Sequence, residues 1–202
     1  LADDLARNRP GDAVRRKIRE LQPNPLLRLI DRWRPDTDIY NWAVGLRGEL
    51  LTARRLSRLR GHGWFTLHAV QWVTGTDIDH LTIGPAGVFS INSKRHRGKT
   101  VWYGDRAITV NGTPTRHIAA SQSEARRVSR TLSEHCGFDV PVRPVISVVH
   151  AGKLTVKSAN PPVLVLAVDQ LDRVLSGLTP TLSADQVSHI YGVARRAQIW
   201  SG

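Results

Sequence analysis

Asp77, Asp79, Asn92 and Lys94 fall on two alternating, strand-like stretches that flank the tight turn Gly84-Pro85-Ala86-Gly87. Carboxylate and amide oxygens are ligands for a hard divalent cation such as Mg2+. A lysine beside them can position a water or stabilise charge on a phosphate. Paired strands hold such groups rigidly enough for chemistry. The same spacing also fits an ordinary cross-strand ion pair between Asp77 and Lys94. If Gly84 pairs directly with Gly87, Asp79 lies opposite Asn92 and Asp77 opposite Lys94, all on one side of the sheet. A type I turn with Gly87 as a left-handed bulge would shift the register by one and turn Asp79 to the other face.

The elements that must carry these residues can be read from periodicity. A helix is expected from Tyr40 to Arg60, capped by Asp38, with an apolar stripe of Trp42, Leu46, Leu50, Ala53, Leu56 and Leu59, and Gly61 and Gly63 stop it. Strands are expected at 64–73, 77–84 and 87–94, then short ones at 101–103 and 107–110, with Asn111-Gly112 as a turn. A helix over 118–135 closed by Gly137, apolar β-branched runs at 144–150 and 163–168, and helices at 170–178 and 184–196 complete the chain. The last helix follows a capping box of Ser183 and Gln186. This order predicts an α/β (α+β) domain with a central mixed sheet flanked by helices over residues 37–202. Residues 1–36, interrupted by four prolines, read as a basic helical arm whose Leu26, Ile30 and Trp33 repeat at helical spacing to dock on the body.

Charge narrows the partner. The 202 residues carry 29 Lys and Arg against 17 Asp and Glu, a net +12. Nine of the bases lie between Lys94 and Arg130 beside only two acids, so more than half the excess is concentrated there. Such clustering suits a phosphate backbone. The residues expected at a nucleic-acid interface are Arg54, Arg55 and Arg58 on the long helix, Arg95, Arg97 and Lys99 after the second site strand, and Arg126 and Arg127 on the next helix. DNA is the expected partner. Trp102 and Tyr103 suit a core more than base stacking. A lone cysteine, Cys136, excludes a disulfide scaffold and a zinc set, and points to a reducing, cytoplasmic compartment. No stretch is apolar enough for a signal peptide or a membrane span, so no membrane association is expected. Neither a P-loop nor a nucleophile elbow is present, which removes nucleotide hydrolysis and acyl transfer.

Gly48-Glu49, Thr76-Asp77-Ile78-Asp79-His80-Leu81, Ile83-Gly84-Pro85-Ala86-Gly87-Val88-Phe89 and Ile91-Asn92-Ser93-Lys94, with Gly98 following, together resemble the nuclease-related domain (NERD) family over roughly Trp42 to His150. The resemblance implies a restriction-endonuclease-like core and the PD-(D/E)xK pattern of metal-dependent phosphodiester cleavage. It makes Glu49 the helical acid, Asp79 the central metal-binding aspartate and Lys94 the lysine that ends the motif, with Mg2+ or Mn2+ as cofactor. Without the resemblance, Glu49 could simply balance Arg47 and Arg54 on a solvated helix, and His80, alternating with Asp79, reads as a packing residue.

Asn92 stands where that motif carries a carboxylate. An amide oxygen ligates Mg2+ through a neutral atom and binds it more weakly. The set Glu49, Asp79, Asn92 and Lys94 therefore supports two functions: a DNA-binding nuclease, or a nucleic-acid-binding module with impaired catalysis. Glu124 on the following helix is a candidate to restore the lost charge to a metal site of Asp79, Asn92 and Glu49, although it could equally pair with Arg127 one turn away.

Overall fold

The computed structural model describes residues 4–72, 77–104, 107–157 and 161–201. Its strands are β1 (Phe65–Gln71), β2 (Asp77–Gly84), β3 (Gly87–Arg95), β4 (Thr100–Tyr103), β5 (Ile108–Val110), β6 (Thr113–Thr115), β7 (Val142–Val149), β8 (Lys153–Val156) and β9 (Leu164–Ala167). Helices α1 (Asp12–Leu21), α2 (Pro25–Asp31) and α3 (Asp38–Leu56) precede them. Helix α4 (His117–Cys136) lies between β6 and β7, and α5 (Leu171–Ser176) and α6 (Ala184–Ala194) follow β9. The expected end of the first strand at Val73, and Thr76 of the family motif, lie outside the described residues.

A five-stranded mixed sheet runs β1-β2-β3-β7-β9, antiparallel from β1 to β3 and parallel from β3 to β9. This is the α/β architecture expected from the sequence. Helices α4 and α6 cover one face, where Val128, Leu132, Val187 and Ile190 meet Leu81, Ile83 and Val88. Helices α3 and α5 cover the other, where Leu56, Leu171 and Leu175 meet Phe89, Ile91 and Val145. A second sheet, β6-β5-β4-β8, was not expected. Asn111 (φ 49°) and Gly112 (φ 81°) turn β5 into β6, a left-handed pair suited to a two-residue hairpin. Strands as short as β6 and β8 leave too little alternation to be read.

The long helix departs from its predicted pattern in two ways. Thr37, not Asp38, is its N-cap, with the hydroxyl accepting from the Tyr40 N–H at 3.1 Å. Its buried face is Ile39, Ala43, Gly48, Glu49, Thr52, Ala53 and Leu56, whereas Trp42 and Leu50 are exposed. Small and polar residues face inward because α3 lies close to β3: a Cβ built on Gly48 would sit 3.5 Å from the Arg95 Cβ.

The basic arm is helical and joined to the body. Leu5 is buried with Trp72 and Trp200, Asp4 pairs with Arg195, and Val14 and Ile18 pack on Ile39 and Ala43. Helix α2 buries no residue, and Leu26, Ile30 and Trp33 are exposed, so the expected docking of that stripe is not seen. A seven-residue helix between Pro23 and Pro35 is too short to carry its apolar stripe back to the core.

Candidate functional site

The β2–β3 ladder holds one register from Gly84–Gly87 to His80–Ile91. The direct pairing is therefore the one adopted, and Gly87 (φ 122°) makes the turn without a bulge. The next hydrogen-bonded rung in that register would join Ile78 to Ser93, and it is absent from the ladder. Instead, the Ser93 N–H donates to Asp79 Oδ2 at 2.7 Å. On the other side of β2, the rung between Ala69 and Asp79 is also absent. Ala69 has φ 49°, and its carbonyl and that of His68 accept from Asn8 Nδ2 at 3.1 and 3.2 Å. Strand β2 thus parts from β3 at Asp79. As a result Ile78 shares an apolar cluster with Leu81 and Ile83, although strict alternation would place it on the opposite face. Asp79 therefore sits in a fork between strands, not on a flat sheet opposite Asn92.

Both helical layers reach that fork. From α3, Glu49 is buried, and burial together with the charges of Asp79 and Asp77 pushes its pKa up to about 8, with Lys94 and Arg15 acting against the rise. Burial also raises the Asp79 carboxyl, a shift opposed by Lys94 and by the Ser93 N–H. Burial raises Asp77 too, while Gln71 and Arg16 oppose it. From α4, Glu124 Oε1 accepts from Asn92 Nδ2 at 2.9 Å. Burial pushes Glu124 up to about 7, with the Asn92 bond opposing and Asp79 reinforcing the shift. Lys94 alternates with Ser93 and so shares the face of Asn92. His96 and His117, which the sequence did not single out, lie beside it with centroids 5.7 Å apart and ring planes tilted by 33°. Burial and the Lys94 charge hold His117 down to about 4.

Behind the fork runs a second polar set. His68 Nδ1 and His80 Nδ1 are 2.9 Å apart, and His80 Nε2 lies 3.5 Å from Ser93 Oγ. Ser93 Oγ donates to Thr52 Oγ1 at 3.0 Å, which donates to Ser147 Oγ at 2.9 Å. Burial holds His68 down to about 4 and His80 well below its ordinary value. His80 is the packing residue the alternation implied, but one that packs through hydrogen bonds. The only signals for its partners were polar residues at inward positions: Thr52 in a helix stripe and Ser147 within Val-Ile-Ser-Val-Val.

The structure brings Glu49, Asp79 and Lys94 into mutual electrostatic range and joins Asn92 to Glu124, so Glu124 turns toward the site. Among the described residues, no three His, Cys, Asp or Glu side chains converge closely enough to enclose a metal ion. The basic residues fall into separate groups. Arg54, Arg55 and Arg58 line a cavity beside β7, and Arg55 and Arg58 share Asp172 at 3.8 and 3.4 Å. Arg95 lies against α3 with its Nε buried, while Arg97 and Lys99 are exposed on the loop after β3. Arg126 is exposed, and Arg127 stacks 3.8 Å from the centre of the Trp72 ring. Tyr103 is buried, whereas Trp102 is 42% exposed. Among the described residues no helix is long and apolar enough to cross a membrane.

A family model described as "Nuclease-related domain" matches residues 44–149, a span that contains Glu49, Asp79, Asn92, Lys94 and Glu124. No curated protein and no solved structure matches the chain.

Proposed function

The chain belongs to the nuclease-related domain family, and from that premise we propose that it binds DNA through its basic surfaces and hydrolyses phosphodiester bonds at the fork with a divalent cation. The observation that supports this most is a group of carboxylates, Glu49, Asp79 and Glu124, all raised by burial around one lysine. Perturbed acids gathered at a strand end are a mark of functional sites. The donor chemistry fits Mg2+ or Mn2+. Asp79 Oδ2 accepts from the Ser93 N–H, and Asn92 gives its Nδ2 to Glu124, which leaves the amide Oδ1 to face an ion. Mg2+ takes only one or two protein carboxylates and fills its other positions with water and substrate phosphate, so a full carboxylate cage is not required.

Asp79, Asn92 and Glu124 would hold the ion, with Glu49 adding negative charge from α3. When bound, the ion polarises the phosphate and acidifies a water. Lys94 offsets the charge that grows on the phosphate oxygens and orients the attacking water. Arg97 and Lys99, on the loop directly after β3, grip the phosphates flanking the scissile bond. The alternative, a DNA-binding module without catalysis, rests on Asn92 in place of the motif carboxylate and on the lack of three converging acids among the described residues.

Supercoiled plasmid incubated with Mg2+, Mn2+ or EDTA separates the two. Metal-dependent nicking by the wild type, lost in both Asp79→Ala and Lys94→Ala, is the expected result. Plasmid binding with no nicking under either metal would establish the module instead.

A further inference from the structure

We propose that the cavity beside the C-terminal ends of β7 and β9 is a separate site for a nucleotide phosphomonoester, and that it anchors the phosphorylated end of a strand. The cavity measures about 650 Å3, within the size range of small-ligand pockets. It lies just beyond the ends of parallel strands, where open α/β sheets take ligands. Arg54 and Arg55 line it from the last turn of α3, Arg58 from the single 3-10 turn at Ser57–Leu59 that follows, and His150 from the residue after β7. Leu51, Val148 and Leu154 make its apolar surface, and Asp169 adds one carboxylate to the lining, outside ion-pair distance of the three arginines. An arginine wall against an apolar wall matches the two halves of a nucleotide: a phosphate for the guanidinium forks and a sugar and base for the aliphatic side.

The wall is built in advance. Asp172 holds Arg55 and Arg58 at 3.8 and 3.4 Å, so both guanidiniums are placed without a ligand. Arg54 has no carboxylate partner among the described residues and is available to an anion. His150 has φ 57°, a left-handed conformation uncommon outside glycine. Its carbonyl accepts from the Gly98 N–H at 3.0 Å, which fixes the turn. Backbone held in such a region marks a position worth reading for function.

A terminal phosphomonoester is favoured over an internal diester on two grounds. It carries close to two negative charges near neutral pH where a diester carries one, which three arginines set against Asp169 and Asp172 reward. The cavity is also floored by the strand-end residues Val148 and Ala167, so it receives a chain end more readily than a passing strand. Arg54 follows Glu49 by five residues on α3, or about 8 Å at ~1.5 Å per residue, and Arg58 lies in the 3-10 turn just beyond the helix end. An end held there would present the fork with a bond a few nucleotides inward. The source of the ligand rests on the nuclease reading; the binding itself does not.

The test is equilibrium binding in EDTA, without cleavage, of inorganic phosphate, deoxyadenosine monophosphate, and single-stranded 10-mers that carry a 5′-phosphate, a 3′-phosphate or hydroxyls at both ends. The wild type is expected to prefer one phosphorylated 10-mer over the hydroxyl 10-mer by about tenfold, converting to roughly 1.4 kcal/mol. Arg54→Ala with Arg58→Ala should erase that preference, as should Leu154→Trp, which fills the cavity without changing charge. A phosphorylated 10-mer held more tightly than the mononucleotide identifies a strand end as the ligand. The reverse order, with the same sensitivity to the variants, identifies a free nucleotide at the same site. Equal affinity for all three 10-mers with no mononucleotide binding overturns the proposal, as does a preference that survives Leu154→Trp. Asp79→Asn should keep the preference, so failure of the nuclease reading and failure of this site give different results.

Discussion

The two faces of β3 handle buried polar groups in opposite ways. Toward α3, Ser93 belongs to a relay of neutral side chains from His68 through His80 and Thr52 to Ser147, each within hydrogen-bonding reach of the next. Toward α4 and the fork, Asp79, Glu124 and Lys94 are ionisable groups, and Glu49 comes in from α3. A neutral network that satisfies itself is an inexpensive way to fasten a helix to two strands. Buried like charges cost stability, and the carboxylates of the fork are not neutralised by the single lysine among them. The first arrangement is complete within the protein; under the proposed function the second is completed by a cation and an anionic substrate. Backbone geometry draws the line between them, because Asp79 breaks the ladder that would otherwise continue across both.

The sharpest way to break this comparison is Asp79→Asn. The amide keeps an acceptor for the Ser93 N–H and removes the charge. Cleavage should fall by about 100- to 1000-fold, the scale for loss of a preorganised electrostatic group, while the urea midpoint stays level or rises. A fall in both would make Asp79 a structural residue and erase the distinction between the faces.

On the other face, the expected effect is on stability. His80→Leu leaves His68 Nδ1 and Ser93 Oγ short of a partner, and an orphaned buried polar group costs about 1–3 kcal/mol. Urea denaturation should show that loss, while plasmid nicking at a temperature where the variant is folded stays within about threefold of wild type. Unchanged stability would mean that the relay fastens nothing.

How much of this was legible follows the range of the interactions involved. The helices, the long strands and the turn at Gly84 to Gly87 are written in local alternation and local chemistry, and all were readable. The positions of Glu49, Asp79, Asn92 and Lys94 came from the spacing of a family motif, and all four fall within the matched span. The fork was not, since it depends on Ala69 adopting φ 49° and on Asn8, about sixty residues away in the chain, holding two carbonyls. The inward face of α3 was misread for a related reason. A helix that approaches a strand closely at Gly48 buries small and polar residues there, so Trp42 and Leu50 point elsewhere while Ile39 and Leu56 near its ends stay buried. His68, Thr52 and Ser147 come together only in three dimensions.

Titration gives the buried histidines and the buried carboxylates opposite signs, and His117 beside Lys94 follows the histidines. His68 is held down to about 4 from 6.5, so its contribution is complete above pH 6.5 and is lost as pH falls toward 4; His80 acts in the same direction. Glu49 and Glu124 are raised from 4.5 to about 8 and about 7, so their contribution is complete below pH 4.5 and is lost as pH rises through 7 to 8. Each group changes unfolding free energy by at most about 1.4 kcal/mol per pH unit within its window. The slopes oppose one another between pH 4.5 and 6.5, and only the carboxylate slope remains above that. Urea midpoints without divalent cation should therefore be nearly flat up to pH 6.5 and decline by pH 8, and Glu49→Gln should remove much of the decline. A midpoint that climbs steadily to pH 8 would mean that the carboxylates do not carry the strain assigned to them.

The finest distinction is drawn by Asn92→Asp, which places a second carboxyl where the amide now lies 2.9 Å from Glu124. Two carboxyls so close share one proton while it is available, because both cannot ionise cheaply. At pH 6 the shared proton replaces the amide hydrogen bond, and the urea midpoint should match wild type within about 0.5 kcal/mol, the size of an ordinary tolerated substitution. At pH 8 that proton is lost and the variant should be the less stable by roughly 1 kcal/mol, the scale of one pKa unit. Mg2+ should restore it at millimolar concentration, and more strongly than it stabilises wild type, because a third charged oxygen now faces the ion. Nicking should rise with the tighter binding if Asn92 merely weakens a working centre. Equal stabilisation of both proteins by Mg2+ at pH 8 would instead place the ion away from position 92 and leave Asn92 as a strut for Glu124, a member of the neutral class of residues that happens to lie on the charged face.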